Sequence, residues 1–282
     1  MPIGFVGGSG IYEALDLENE SEVAVSTPFG DPAAPVTVGA LDGTEIAFLP
    51  RHGRDHEFSP TTTPYRANLH ALKSLGCERV LSSNAVGSLR EDLPPRTLLV
   101  PDQLFDRTRD RPYTFFDEGV VVHAAFGQPY CPHMVEHLAA SAAGVDVDCE
   151  RGGTYVCIEG PQFSTVAESE FYRDQGFDVV GMTAVPEAKL AREAELCYAT
   201  VAGVTDFDVW KEGAEVTQEE VVENALANET SIKEVVERAV EAMPEERECD
   251  CGSALDGAVA TDPGSVDAEA RERYGALLGD YL

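Results

Sequence analysis

The sequence predicts an α/β protein built as one layered domain. Three observations carry this: strand-like and helix-like runs alternate through most of the chain, capping residues punctuate the helical runs, and 43% of the 282 residues are hydrophobic, enough for one sizeable core. Alternation of this kind lays helices on a sheet, because each element has only one apolar face to bury.

The elements follow in order. An apolar start, Ile3 to Val6, runs into Gly7-Gly8-Ser9-Gly10, and "LDLENESEVAVSTPFG" then reads as strand and turn. Thr63 is expected to cap a helix beginning at Pro64 and ending at Gly76, since proline suits a first turn and glycine a C-terminal stop. "ERVLSSN" reads as a buried strand leading into a loop, "AVGSLRED". "TYVCIEG" is a strand, "TVAESEFYRDQG" a helix closing on Gly176, "FDVVGM" a strand, "PEAKLAREAE" a helix and "LCYATVAGVTD" another strand. Thr217 and Glu220 form a capping-box pattern before Val221, Val222, Ala225 and Leu226; the helical period resumes at Ile232, Val235, Val236, Ala239 and Val240 and stops at Pro244. Residues 1–244 are thus the expected domain, and 245–282, rich in Gly, Asp and Ala, an arm packed on it.

Charge excludes several partners. Fifty-one acidic residues face twenty basic ones, a net charge of −31, and lysine occurs only at 73, 189, 211 and 233. Such a surface repels nucleic acid and anionic lipid, and the acids are spread along periodic segments as a carboxylate coat of the kind suited to a salt-rich cytoplasm. A run of about twenty apolar residues is absent, as is a basic-then-apolar start, so a cytoplasmic protein is expected. The seven cysteines, at 77, 131, 149, 157, 197, 249 and 251, lack C-x-x-C pairs, which argues against zinc. Cys249-Asp250-Cys251 reads as a vicinal disulfide or two thiols.

The glycine-rich turn does not bind a dinucleotide. That fingerprint needs a third glycine before a helix, whereas Gly8-Ser9-Gly10 is followed by Ile11-Tyr12-Glu13; a Gly-Lys-Ser/Thr loop is also missing. Two readings remain, a tight turn or an anion cradle of backbone N–H groups and the Ser9 hydroxyl. "PRHGRDH" (50–56) tilts towards the cradle: two arginines and two histidines cluster after the apolar run "IAFL" in a chain poor in positive charge. Ser9, Arg51 with His52, and Asn84 with Ala85 then form three strand ends able to hold one phosphate.

Together "GGSGIY", "TPFG", "RHGRDH", "NAVGSLRED", "IEGPQFST", "GMTAVPEAKLAREAELCYA" and "TDFDVWKE" resemble the methylthioadenosine phosphorylase branch of the purine nucleoside phosphorylases, from residue 3 to about 240. The tail with its C-x-C is similar to the C-terminal arm of archaeal members. The resemblance implies a twisted mixed sheet or barrel core flanked by helices. It also implies phosphorolysis, in which orthophosphate displaces a purine from C1′ of a nucleoside, and assembly into trimers or hexamers. By matching motif, Ser9, Arg51, His52, Asn84, Ala85 and Thr183 should surround phosphate. Met182 should pack near the ribose and Phe163 near the base, with Ser164, Asp206 and Asp208 on the base side. His123 is expected to reach a neighbouring subunit's site. Cys131 and Cys197 sit in blocks that could approach one another in this fold and form a disulfide.

Residue chemistry fits these roles. A dianion beneath C1′ stabilises the charge that builds on the sugar, and a buried Asp206 with a raised pKa can protonate the leaving purine at N7. Metal and organic cofactors are not called for; orthophosphate is the co-substrate. A carboxylate accepts from an amino group and repels a 6-oxo group, so Asp206 and Ser164 point to adenine, and to methylthioadenosine as substrate. Gln218 stands where the methylthioadenosine enzymes usually have a small apolar residue, which keeps adenosine or a broader purine nucleoside range open; it also reads as an exposed first-turn residue. A phosphate- or purine-binding protein without turnover and a nucleosidase using water are the competing classes. Arg51, His52 and Thr183 speak against the second, since hydrolysis needs no phosphate cradle.

Overall fold

The computed structural model describes residues 1–11, 13, 15–211 and 216–282. Along the chain run β1 (Ile3–Gly7), β2 (Glu18–Val23), β3 (Val36–Leu41), β4 (Thr44–Pro50), α1 (Tyr65–Ser74), β5 (Arg79–Ser88), β6 (Leu98–Val100), β7 (Gln103–Arg107), α2 (Pro132–Ala142) and β8 (Cys149–Arg151). They are followed by β9 (Thr154–Ile158), α3 (Val166–Asp174), β10 (Val179–Gly181), α4 (Ala184–Glu193), β11 (Cys197–Asp206), α5 (Gln218–Glu241) and α6 (Ala268–Leu278). The strands join in one mixed sheet ordered β2-β3-β4-β1-β5-β10-β9-β7, from which β11 branches off β5 and leads to β6 and β8. The sheet forks but does not close: among the described residues β2, β7 and β8 each end on a single partner, so the barrel form of the expectation is replaced by an open sheet.

The fork is what makes room for a site. β11 pairs in parallel along almost the whole of β5. On the other edge of β5, β1 pairs only as far as Ser82, and β10 takes over at Gly87. Ser83 to Val86 therefore present an edge that is not covered by a strand, just where β1 and β4 end. The sequence reading of "AVGSLRED" as a loop is corrected here: Ala85 to Ser88 belong to β5, and the break lies in its partner strands. Both β5 and β11 are buried almost throughout, as expected for strands covered on both faces rather than one.

The helices start and stop largely as their capping residues dictate. Thr165 makes a full capping box with Glu168. Thr217 accepts from the Glu220 N–H and opens the 24-residue α5. Gly76 takes the left-handed conformation (φ 85°) after α1. Thr63 is the exception. The cap of α1 is Pro64, and the Thr63 hydroxyl is spent on the Ser59 carbonyl and on His52 Nδ1. Its role is to fix a histidine rather than a helix.

The arm beyond residue 245 is not a separate core. Leu255, Tyr274, Leu277 and Leu278 are buried in the same apolar cluster as Phe5, Leu81, Tyr198 and Val236. Val259 also bridges Val122. Each such leucine contributes about 1.5–3 kcal/mol through burial. All seven cysteines are free thiols, so the expected Cys131–Cys197 disulfide is not formed. No helix among the described residues is long and apolar enough to cross a membrane.

Candidate active site

A cavity of about 390 Å³ opens at the fork, a volume suited to a nucleoside and a small anion. It gathers most of the residues singled out by sequence: Ser9, Arg51, His52, Ala85, Phe163, Ser164, Met182, Thr183, Asp206, Asp208 and Gln218 all line it. Its position, beyond the carboxyl ends of β1 and β4, is where open α/β sheets place ligands.

One wall is held together by hydrogen bonds. The turn after β1 is closed by Ile11 N–H to the Gly8 carbonyl (2.9 Å), and Gly8 N–H donates to Ser83 Oγ (2.8 Å). Gly8 must be glycine, because a Cβ there would meet the Ser83 carbonyl oxygen at 2.4 Å and Arg51 Nη1 at 2.8 Å. Arg51, wholly buried, donates from Nε and Nη2 to the two oxygens of Glu187 (2.7 and 2.8 Å). Its Nη2 also reaches Ser82 Oγ (2.6 Å), and Nη1 the Ser83 carbonyl (2.8 Å). Four of five guanidinium N–H groups are thus engaged, and one on Nη1 is left for a ligand. Burial opposes the Arg51 charge, but Glu187 outweighs it and raises the pKa.

Two expectations for this wall need correction. The "RHGRDH" run is not a cationic patch inside the cavity. Arg54 pairs with Glu22 on the surface, Glu187 neutralises Arg51, and burial beside Arg51 lowers His52 to a pKa of about 3, leaving it neutral. His56 stacks on His52 at 4.6 Å and is also pushed down by burial. Asn84 does not line the main cavity but a small recess behind Ser9 and Ala85. Its Nδ2 donates to Thr183 Oγ1 (2.6 Å) while Thr200 donates to its Oδ1, so it positions Thr183.

The facing wall is less satisfied. Burial raises the pKa of Asp206, partly offset by two donors: Thr205 Oγ1 at 2.6 Å from Oδ2 and Asp208 N–H at 2.8 Å from Oδ1. Burial likewise raises Asp208, helped by the nearby Asp206 charge and opposed by Ser169 and Ser164. Those serines stand close enough to influence Asp208, yet Asp208 Oδ2, Ser164 Oγ and Ser169 Oγ are each buried without a hydrogen bond of standard geometry. A ligand with polar edges can satisfy Asp208 Oδ2 and Ser164 Oγ, which line the cavity; Ser169 does not line it. Phe163, 45% exposed, forms part of the rim.

Gln218 is both things the sequence allowed, an exposed first-turn residue of α5 and a lining residue. Val221, three residues on and so on the same helical face, also lines the cavity. Part of the run "KEGAEVTQ", residues 212–215, and Tyr12 of "GGSGIY" lie outside the described residues. His123 is exposed and away from this chain's cavity, its N–H bonded to the Ala258 carbonyl (2.9 Å).

Sequence reasoning missed three supporting residues. Glu187 is buried at the centre of the Arg51, Ser82 and Tyr198 network. Thr205 holds Asp206. Arg111 donates to the main-chain carbonyls of Met182 and Val185 (2.5 and 2.7 Å) and to Glu159 Oε1 (3.1 Å), tying the Met182 wall in place. The one available signal was for Glu187, an acid at the start of an otherwise apolar-faced helix.

Comparison with known proteins extends these findings. A family model described as "Phosphorylase superfamily" matches residues 2–241. An S-methyl-5'-thioadenosine phosphorylase of Koribacter versatilis is 49% identical over 281 residues, 99% of this chain and 96% of the relative. The crystal structure of a methylthioadenosine phosphorylase from an Antarctic soil metagenomic library superposes with a TM-score of 0.93 at 42% identity, over 98% of each chain. A mutant adenosine/methylthioadenosine phosphorylase of Schistosoma mansoni, in complex with tubercidin, gives a TM-score of 0.85 at 33% identity, over 92% of this chain and 99% of that one.

Proposed function

The chain belongs to the phosphorylase superfamily, and from that premise we propose that it cleaves S-methyl-5'-thioadenosine with orthophosphate, giving adenine and 5-methylthioribose 1-phosphate. The observation that supports this most is a single cavity lined by the Ser9, Arg51 and Thr183 donors and by the buried acid Asp206. It is a pentosyltransferase reaction and draws on no metal or organic cofactor.

In this reading phosphate sits against Ser9, Thr183 and the remaining Arg51 Nη1 hydrogen, below C1′. His52 bonds the Phe58 carbonyl through Nδ1 (2.9 Å), which as a neutral ring leaves Nε2 an acceptor suited to the P–OH of monoprotonated phosphate. As the C1′–N9 bond breaks, phosphate takes the sugar and the Asp206 carboxyl gives its proton to N7 of the purine. The anion left behind is stabilised by the Asp208 N–H and by Thr205. The Thr205 hydroxyl is also 3.2 Å from the Val86 carbonyl, so it can donate there while Asp206 is protonated and turn to Oδ2 once it is ionised.

Asp208 Oδ2, a buried acceptor to which the nearby Ser164 and Ser169 hydroxyls make no hydrogen bond of standard geometry, suits the exocyclic amino group of adenine and disfavours a 6-oxo group. Val221 offers apolar contact to the methylthio group. A second reading, adenosine as substrate, is favoured by Gln218 at the rim and by the printed name of the Schistosoma relative. Comparing kcat/KM for methylthioadenosine, adenosine and inosine at saturating phosphate and high salt tests both; inosine as best substrate would overturn the base-side assignment. We also place the enzyme in the cytoplasm, in a homo-oligomer (trimer or hexamer) with His123 serving a neighbour's site. The exposed Val121 beside His123 supports such a contact. A net charge of −31 supports a salt-rich setting.

A further inference from the structure

Four thiols distant in sequence meet where the arm joins the body. The Sγ atoms of Cys131, Cys197, Cys249 and Cys251 all lie within 4.8 Å of one another. Cys131 precedes α2, Cys197 opens β11, and Cys249 and Cys251 flank the first residue of a 3-10 turn, Asp250–Ser253. Cys131, Cys197 and Cys251 are buried and Cys249 is half-buried. We propose that these four cysteines bind a zinc ion as a tetrathiolate site that fastens the C-terminal arm to the body.

Geometry makes the case. A tetrahedral zinc with Zn–S of about 2.3 Å holds its sulfurs about 3.8 Å apart. Cys197 and Cys249 are 3.2 Å apart, and every other pair is within 4.8 Å, so small side-chain rotations bring four donors to one centre. The missing C-x-x-C spacing, which argued against zinc in the sequence, is irrelevant when the ligands converge from three segments. An all-sulfur donor set selects a soft or borderline ion and leaves magnesium and calcium unbound.

The surroundings suit thiolates. Arg192 Nη1 lies 3.8 Å from Cys251 Sγ. Arg79 and Arg247 line the adjoining cleft with Cys131, Cys197 and Cys249. Three arginines around one cluster are conspicuous in a chain with twenty basic residues. Arg192, in contact with Cys251, opposes part of the two excess negative charges of a zinc tetrathiolate, while Arg247 is also paired with Glu78 (3.1 Å) and Glu246 and Glu248 share the cleft; the four thiol protons go to solvent on binding. Such a site would lock residues 245–282, whose buried Leu255, Tyr274, Leu277 and Leu278 share the body's apolar cluster.

Full-length protein, reduced, loaded with Zn²⁺ and dialysed against metal-free buffer, should retain a single zinc per chain by mass spectrometry. Co²⁺ in its place should show the sulfur-to-cobalt charge-transfer band of a tetrahedral thiolate site. Cys251→Ser should lose both signals, and Cys149→Ser, outside the cluster, should keep them. Chelation should lower Tm and open residues 245–282 to protease. Sub-stoichiometric zinc after loading, or alkylation of the four thiols at the same rate with and without Zn²⁺, would overturn the site. So would peptide mapping of untreated cellular protein that finds them joined as disulfides. The wild-type cobalt spectrum decides the matter if Cys251→Ser does not fold.

Discussion

Arg51 and Thr183 on one wall of the cavity are already bonded to protein partners, Thr183 through Asn84 in the recess behind it, whereas Asp208 Oδ2 and Ser164 Oγ, which also line the cavity, are buried and make no hydrogen bond of standard geometry. The first wall is wired in advance: its donors are aimed by Glu187, Ser82, Thr200 and the glycine turn, so under the proposed reaction little reorganisation is needed when an oxyanion arrives. Under the same proposal the second wall keeps its polar atoms for the nucleoside. A site built this way fixes the common reactant rigidly and leaves discrimination to the variable one, because a substrate that fails to pair those buried atoms forfeits about 1–3 kcal/mol for each.

The contrast can be broken from either side. On the base wall, Asp206→Ala should lower turnover by about 10²–10⁴-fold, the usual contribution of a positioned proton donor, while the KM for phosphate changes little. Steady-state kinetics with each reactant varied checks this; retained turnover would move the leaving-group role elsewhere.

On the prewired wall, Glu187→Gln should act first on stability. It strands a buried arginine charge, costing about 3–5 kcal/mol, and should raise the KM for phosphate. Replacing both partners, Arg51→Met with Glu187→Leu, should recover much of the Tm but not the activity, since a well-packed apolar pair folds and cannot bind an anion. Calorimetry alongside kinetics separates the two effects.

Removing an unpartnered hydroxyl should do the reverse. Ser164→Ala should hold or raise Tm, and should lower kcat/KM for the nucleoside by tenfold or less without touching phosphate affinity. A large drop in Tm would mean that this hydroxyl is structurally engaged.

The smallest effect is in pH. Burial raises Asp206, so its proton is held to higher pH than on an exposed aspartate, and the rate should decline as pH rises through that raised value. His52, at about 3, stays neutral in the folded protein and should produce no acid limb near its ordinary 6.5. For stability the sign is opposite to that of a paired histidine: between pH 6.5 and 3 the unfolded chain gains a proton that folded His52 does not, so stability falls as pH drops. Urea titrations at pH 7 and pH 5, with His52→Asn as control, measure it.

Much of this was legible in the chain. Strand–helix alternation and capping residues gave the elements, and short polar clusters at strand ends gave most of the cavity. What escaped were features made by pairing. The loop expected at "AVGSLRED" begins instead as strand, because β11 continues to support β5 where β1 leaves it. The cationic look of "RHGRDH" vanished because a carboxylate 136 residues from Arg51 in sequence cancels its charge. The thiol quartet was seen only as two separate pairs, Cys249 with Cys251 by spacing and Cys131 with Cys197 by resemblance, because the packing that joins the pairs leaves no local signal.

The most direct test is purine release from S-methyl-5'-thioadenosine with and without orthophosphate, with the sugar product identified. Release that depends on phosphate and yields 5-methylthioribose 1-phosphate is the expected result. Equal rates in its absence, with free methylthioribose as product, would contradict it.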